Sequence, residues 1–440
     1  MQLDRPTTIQ NLLIPELLNL VRKSFTGIKD SVTRKVTYSL ADCLMSGLAI
    51  FGLKYPSLLQ FDDDCRGDPI LQYNLKTLFG VDKAPSDTYF RERLDPIEPC
   101  QLQQAINDII DTLKENKTLE RYKYTDDHYL ISLDATGNFS SHKVHCQHCC
   151  EKHHKDGSVT YHHQTLAAVM VHPKFSTVLP MMIEPINKAD GDVKNDCEHN
   201  AAKRLLVNLR NQHPDLKMII VMDGLYADGP IISLLEELNF SFIITAKDKD
   251  LKHLFSQYNE KDKREVITIS ANEALLTHHY ASNFQLNLTH TDIHVNVLEC
   301  NEVDAKNKKT RYCWISDLLL DRTSVPIIAA GGRARWQIEN ETFNTLKNQG
   351  YNFEHNFGHG YEHLNEVLTY LMFVAFLIDQ VLQLCCEAFM QLLTKCKRKI
   401  RMWRKMAAYF TAHYIDSWEE LYLMILGGLG GRASQLLNTS

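Results

Sequence analysis

Two short, mostly apolar runs in this chain each stop at an aspartate, and that repeated arrangement narrows the possible folds more than any other feature. Tyr129-Leu130-Ile131-Ser132-Leu133 leads into Asp134, and Met218-Ile219-Ile220-Val221-Met222 leads into Asp223. Apolar runs of this length, bounded by polar chain, read as strands buried in a sheet, each delivering a carboxylate at its end. Further strand-like runs lie at 166–171 and 177–183, joined by a turn at His172-Pro173-Lys174. A helix is expected over 198–211, where Ala201, Leu205, Leu206 and Leu209 share one face, another near 230–238, and a strand over 240–244.

The resulting order, β-β-β-α-β-α-β, is that of a ribonuclease H-like core. Three strands meander, and crossovers then set two more parallel to the first, so that Asp134 and Asp223 fall on neighbouring strands. A third acid, Glu339, lies in Arg335-Trp336-Gln337-Ile338-Glu339, inside a helix expected to run on from Pro326 to about Gln349, where Gly350 stops it. Two strand-end aspartates and a helix glutamate can converge on a pair of Mg²⁺ ions, with Mn²⁺ as a substitute. Such a pair clamps the attacking and leaving oxygens of a phosphodiester displacement. At about 100° per residue, Arg335 shares a helix face with Glu339, Lys347 is offset by about 80°, and Glu341 by about 160°. Glu339 is therefore the expected third ligand, with Glu341 the alternative, and Arg335 and Lys347 are expected phosphate contacts.

These pieces resemble a bacterial insertion-sequence transposase of the DDE class, in the group with a β-strand insertion between the second Asp and the Glu. The matching segments are Leu133-Asp134-Ala135-Thr136, Val221-Met222-Asp223-Gly224 and Arg335-Trp336-Gln337-Ile338-Glu339 with a downstream Lys, and the likeness spans roughly residues 30–385. It implies Asp134, Asp223 and Glu339 as catalytic and metal-holding residues, with Arg335 and Lys347 on transposon-end DNA. Two departures stand out. Similar chains carry a Tyr three positions before the Arg, where this one has Gly332, and they leave one residue fewer between the Glu and the Lys. Trp314 falls in the insertion, where a Trp in similar transposases is thought to hold a flipped base.

The 440-residue chain is divided accordingly. Residues 1–125 read as a helical N-terminal region for DNA-end binding, and 126–250 as the first part of the core. Residues 251–325 read as a β-rich insertion, with strands at 266–270, 284–288, 293–298 and 312–316. Residues 326–385 complete the core, and 386–440 form a helical C-terminal region for DNA binding or dimerisation, with a glycine-rich end at Gly427-Gly428-Leu429-Gly430-Gly431. The expected class is thus α/β: a ribonuclease H-like core interrupted by a β-rich insertion and flanked by helical regions. The apolar stretch 370–378, broken at Asp379, is too short to span a bilayer and reads as a buried helix.

A net charge of −6 is not that of a uniformly basic nucleic-acid binder, so any DNA-facing charge must be segregated. The clearest basic run lies between Lys395 and Lys405 and includes Lys397, Arg398 and Arg401, with Trp403 beside them for stacking or packing. Twelve cysteines and no export signal favour reduced thiols in a cytoplasmic, nucleoid-associated protein. Within 142–163, Cys146 and Cys149 form a Cys-x-x-Cys followed by paired histidines, a set of donors suited to structural Zn²⁺, with His153 and His162 as candidate partners. The expected activity is metal-dependent cleavage at the inverted-repeat ends of a mobile element, followed by strand transfer into target DNA. Double-stranded DNA and a second copy of the chain are the expected partners, with no membrane. The alternatives are a non-catalytic DNA-binding protein on the same fold, or a ribonuclease H-like nuclease that does not join strands.

Overall fold

A single mixed sheet of ten strands runs through the computed structural model, which describes residues 8–30, 32, 36–188, 198–260, 265–271 and 274–427. The strands are β1 (Tyr129–Ser141), β2 (Cys150–His153), β3 (Val159–Val171), β4 (Leu179–Ile186), β5 (Met218–Met222), β6 (Ser241–Thr245), β7 (Glu265–Ala271), β8 (Ala274–Gln285), β9 (His294–Val303) and β10 (Lys309–Ser316). Their spatial order is β2-β3-β1-β5-β6-β10-β9-β8-β7, with β4 also paired to β3. β1 is antiparallel to β3 and parallel to β5, and β5 is parallel to β6. The helices Glu198–Gln212 and Gly229–Glu237 make the two crossovers.

The aligned rung Ser132↔Val221 fixes the relation of the two aspartates. Asp134 and Asp223 each lie two residues beyond it, so they emerge level with one another at the same end of parallel neighbours. β1 does not end at Asp134 as the sequence reading had it. It continues against β3 to Ser141, because Thr136 and Asn138 are polar residues that this longer ladder still houses. Asn138 Nδ2 donates to Asn365 Oδ1 at 2.9 Å and to Thr369 Oγ1 at 2.8 Å.

The strands β7 to β10 continue the same sheet, since β10 pairs antiparallel with β6 through Trp314↔Thr245, Ile315↔Ile244 and Ser316↔Ile243. The strand expected over 284–288 is instead the tail of β8, which begins at Ala274. A bulge between Ala281 and Phe284, with Asn283 at φ 66°, conceals its alternation.

The helix that carries Glu339 also departs from the expectation of a continuous α-helix. Ser324–Ala334 is α-helical, Ile338–Phe343 is a π-helical turn, and Asn344–Asn348 resumes the α-helix before Gly350 at φ 102°. A π-turn takes up one extra residue. That matches the additional residue between Glu339 and Lys347.

Among the described residues six α-helices precede the sheet, from Ile14–Thr26 to Gln103–Glu115. Their starts are set by local caps: Ser39, Ser57 and Ser86 accept from the backbone N–H three residues on, and Asp68 accepts from Ile70 and Leu71. Glu387–Cys396, Lys399–Ala412 and Trp418–Gly427 follow it, and the glycine-rich stretch after Gly427 lies outside the described residues.

Between the sheet and these helices runs Leu364–Cys385. It is long and apolar enough to cross a membrane by length and composition, yet 94% of its most apolar window is buried in the protein. The apolar segment does not stop at Asp379 as expected, because that carboxylate has a partner: Lys54 Nζ approaches it at 2.8 Å, and Tyr351 Oη also donates to it. Lys54 lies 4.0 Å from the Tyr351 ring centre and 4.3 Å from that of Trp403. Burial lowers its pKa and Asp379 opposes the shift. Asp379→Ala strands this ammonium and should destabilise the fold by about 3–5 kcal/mol in urea unfolding, whereas Lys54→Met combined with Asp379→Leu should recover most of the loss. Equal losses in the single and double variants would show that the pair itself is immaterial.

Candidate active site

One of the level aspartates, Asp134, meets the third acid through a shared cation. Arg335 Nη1 lies 3.3 Å from Asp134 Oδ2 and 2.9 Å from Glu339 Oε1, so the guanidinium is shared between them. Its side chain is only 10% exposed. Two hydrogen-bonded attachments hold the segment in place. Ser132 Oγ on β1 donates to the Arg335 carbonyl at 3.2 Å. Gln337 Nε2 donates to the His172 and Phe175 carbonyls at 3.0 and 2.9 Å, while its Oε1 accepts from the His172 N–H at 3.1 Å. The turn between β3 and β4 therefore positions the glutamate. The charge of Glu341 acts on Lys399, raising its pKa against burial.

Asp134 carries the clearest electrostatic signature. Burial, with a further push from Glu339, raises its pKa from 3.8 to about 7 against the opposing charge of Arg335. A carboxyl so placed needs more positive charge than Arg335 supplies. Asp223 caps the short turn Gly224–Tyr226, accepting from the Leu225 N–H at 2.8 Å. Beside it is an acid that the sequence reading overlooked: Glu198 Oε1 accepts from Tyr226 Oη at 2.6 Å. Its pKa is raised by burial, with the charge of Asp223 adding to the shift. The signal was available, since Glu198 starts the crossover helix that leads to Asp223. The hard oxygen donors and the uncompensated burial of Asp134 fit a divalent cation held by Asp134, Asp223 and Glu339.

Asp223 and Arg335 border an open cleft of about 680 Å³, lined also by Thr245, Lys247, Lys249, Arg311 and Trp336 among others. Lys247 and Lys249 follow β6 directly, at the carboxyl end of a parallel strand where α/β sheets receive ligands, and that position could have identified them. Trp314 lines the same cleft but is buried, stacked on Tyr312 with ring centres 5.8 Å apart. A Cβ at residue 332 would come within 2.5 Å of Trp314 Nε1, which explains the glycine at that position. The exposed indole of the cleft is Trp336, with the Arg335 guanidinium 5.4 Å from its ring centre.

Other expected site residues are distributed differently. Lys347 Nζ is held by Glu354 at 2.8 Å. Lys397, Arg398 and Arg401 are exposed at the N-terminal end of Lys399–Ala412, where the helix dipole disfavours cations, and Trp403 is buried against Phe389 and Lys54. Cys146 and Cys149 do come together, but with different histidines from those expected. His153 points into solvent beside Glu151, and His162 sits on the opposite face of β3 from His163, which turns to the sulfurs. The fourth member, His359, comes from the far end of the chain.

The sequence model of the family described as Transposase DDE domain matches residues 141–377, more than half of the chain. The match contains Asp223 and Glu339 and begins just after Asp134. No curated protein matches the chain.

The raised pKa of Asp134 has a measurable sign. Folded protein retains a proton that the unfolded chain releases between about pH 4 and 7, so this residue's contribution to stability falls as pH rises through that window. In EDTA, Asp134→Asn should match wild type near pH 4 and surpass it in thermal stability above about pH 7. A difference that does not grow with pH would mean that Asp134 ionises as freely as in water.

Proposed function

The chain belongs to the DDE-domain transposase family, and on that footing we propose that it cuts DNA at the ends of a mobile element and joins the freed 3′ ends to target DNA. The observation that carries this reading is the convergence of Asp134 and Glu339 on Arg335, which borders one cleft together with Asp223. Asp134, Asp223 and Glu339 would hold Mg²⁺ or Mn²⁺. Metal bound there would supply activation of the attacking oxygen and stabilisation of the leaving one.

The protein's own groups supply the rest. Arg335 reduces the repulsion between the two acids, and Gln337 fixes the angle from which Glu339 enters. Lys247 and Lys249 offer charge to a phosphate backbone along the cleft, and Trp336 offers a face to a base displaced from the duplex. Trp314 serves as cleft wall. Lys347, Lys397, Arg398 and Arg401 extend the DNA surface, and the helices before the sheet recognise the element end. In this reading β7 to β10 are the family's insertion, attached edge-on to the core, and two copies of the chain pair the two ends in the cytoplasm.

The test uses a labelled duplex bearing the element's own terminal repeats, with Mg²⁺. Wild type should nick at the boundary, and Asp134→Ala, Asp223→Ala and Glu339→Ala should each lose at least about 10²-fold in rate while still binding the duplex. Undiminished cleavage by Asp223→Ala would overturn the assignment, and cleavage without joining of the 3′ end to a second duplex would leave a nuclease. Replacing both Lys247 and Lys249 by Ala should lower the slope of log affinity against log salt by about two, read by fluorescence anisotropy.

A further inference from the structure

We propose that Cys146, Cys149, His163 and His359 form a structural zinc site, separate from the carboxylates of the cleft. The four ligand atoms all lie within 4.8 Å of one another. Cys146 Sγ is 3.9 Å from Cys149 Sγ and 3.3 Å from His163 Nε2. Cys149 Sγ is 3.4 Å from His163 Nε2 and 3.3 Å from His359 Nε2. A tetrahedron with Zn–S of about 2.3 Å and Zn–N of about 2.0–2.1 Å has S···S, S···N and N···N edges of roughly 3.8, 3.5 and 3.3 Å. The four contacts given above lie within about 0.2 Å of these values.

Disulfide chemistry does not account for the arrangement, since bonded sulfurs lie about 2.05 Å apart. Hard cations do not suit it either, because Mg²⁺ and Ca²⁺ take oxygen donors, whereas two thiolates and two imidazoles select zinc. All four positions of the tetrahedron are filled by protein, as in a structural rather than a catalytic site. The Cys146 N–H donates to Cys149 Sγ at 3.4 Å, the kind of bond that favours a thiolate.

The surrounding chain supplies the reason for a metal. The link between β1 and β2 runs through His142, Lys143, Val144 and His145, all exposed, so it has little apolar surface with which to anchor itself. Its attachment is instead the Cys-x-x-Cys, secured to His163 on β3 and to His359 in the segment between the Glu339 helix and Leu364–Cys385. The ion would fasten the β1–β2 link and β3 to a segment about two hundred residues further on, and none of its ligands borders the cleft.

The experiment measures metal content in the full chain, purified with added zinc and without a metal-affinity step. Wild type should carry one zinc per chain by mass spectrometry of the elements. After exchange for Co²⁺ it should show intense tetrahedral d–d bands with sulfur-to-cobalt charge transfer. Cys149→Ser and His359→Ala should lose the zinc, while His153→Ala and His162→Ala should retain one equivalent. Zinc retained by His359→Ala but lost from His162→Ala would overturn the assignment, as would a Cys146–Cys149 disulfide in the purified protein. If the ligand variants fail to fold, the wild-type cobalt spectrum decides: no thiolate charge transfer means no site. The readout needs no DNA, so it stands apart from any failure to observe cleavage.

Discussion

Burial of Leu364–Cys385 is the constraint on which the other elements depend. Twenty of its 22 residues are buried, so the helix is apolar on every side and must be enclosed by something on each. Apolar burial alone, at about 25 cal/mol per Å², would hold it without specifying its rotation or depth. Its few polar residues supply that information, because each needs a particular partner when removed from water. Asn365 and Thr369 engage Asn138 on β1, Tyr370 Oη donates to the Ile183 carbonyl on β4, Gln380 accepts from the Val178 N–H, and Asp379 takes Lys54 from the N-terminal helices. The strand bearing Asp134 is thereby tied to the helix behind it.

At the front of the sheet the governing quantity is charge. Asp134 and Glu339 share one guanidinium, while Asp223 has Glu198 for an acidic neighbour. This excess of acid in a partly desolvated place works against stability, and such arrangements are characteristic of functional sites. The basic residues Lys247 and Lys249 line the same cleft as Asp223, with the Lys247 side chain beside Gly224, and both are exposed to a polyanion that enters.

Much of this was legible in the sequence, for identifiable reasons. The core strands could be read because runs such as Ile219-Ile220-Val221 are buried on both faces and bounded by turns. Their order then placed Asp134 beside Asp223. The spacing of Arg335 and Glu339 gave their ion pair, since four positions bring two side chains together even at the start of a π-turn. What could not be read depended on distant parts of the chain. His163 rather than His162 faces the sulfurs because of the register of β1 against β3, and His359 lies about two hundred residues beyond them. The pairing of β10 with β6 likewise leaves no local trace, and the burial of Trp314 follows from a glycine on another element.

The ladder between β6 and β10 has a mechanical consequence. Because it continues the sheet that holds Asp134 and Asp223, the cleft's far wall and its floor belong to one twisted slab with no hinge between them. Swinging β7 to β10 away from the acids would break the rungs at Trp314, Ile315 and Ser316, all in a buried stretch of β10. The cleft therefore has a set width, and the compliance falls to the shape of whatever enters and to the side chains at its rim: Lys247, Lys249 and Trp336, each exposed and free to swing without disturbing the strands.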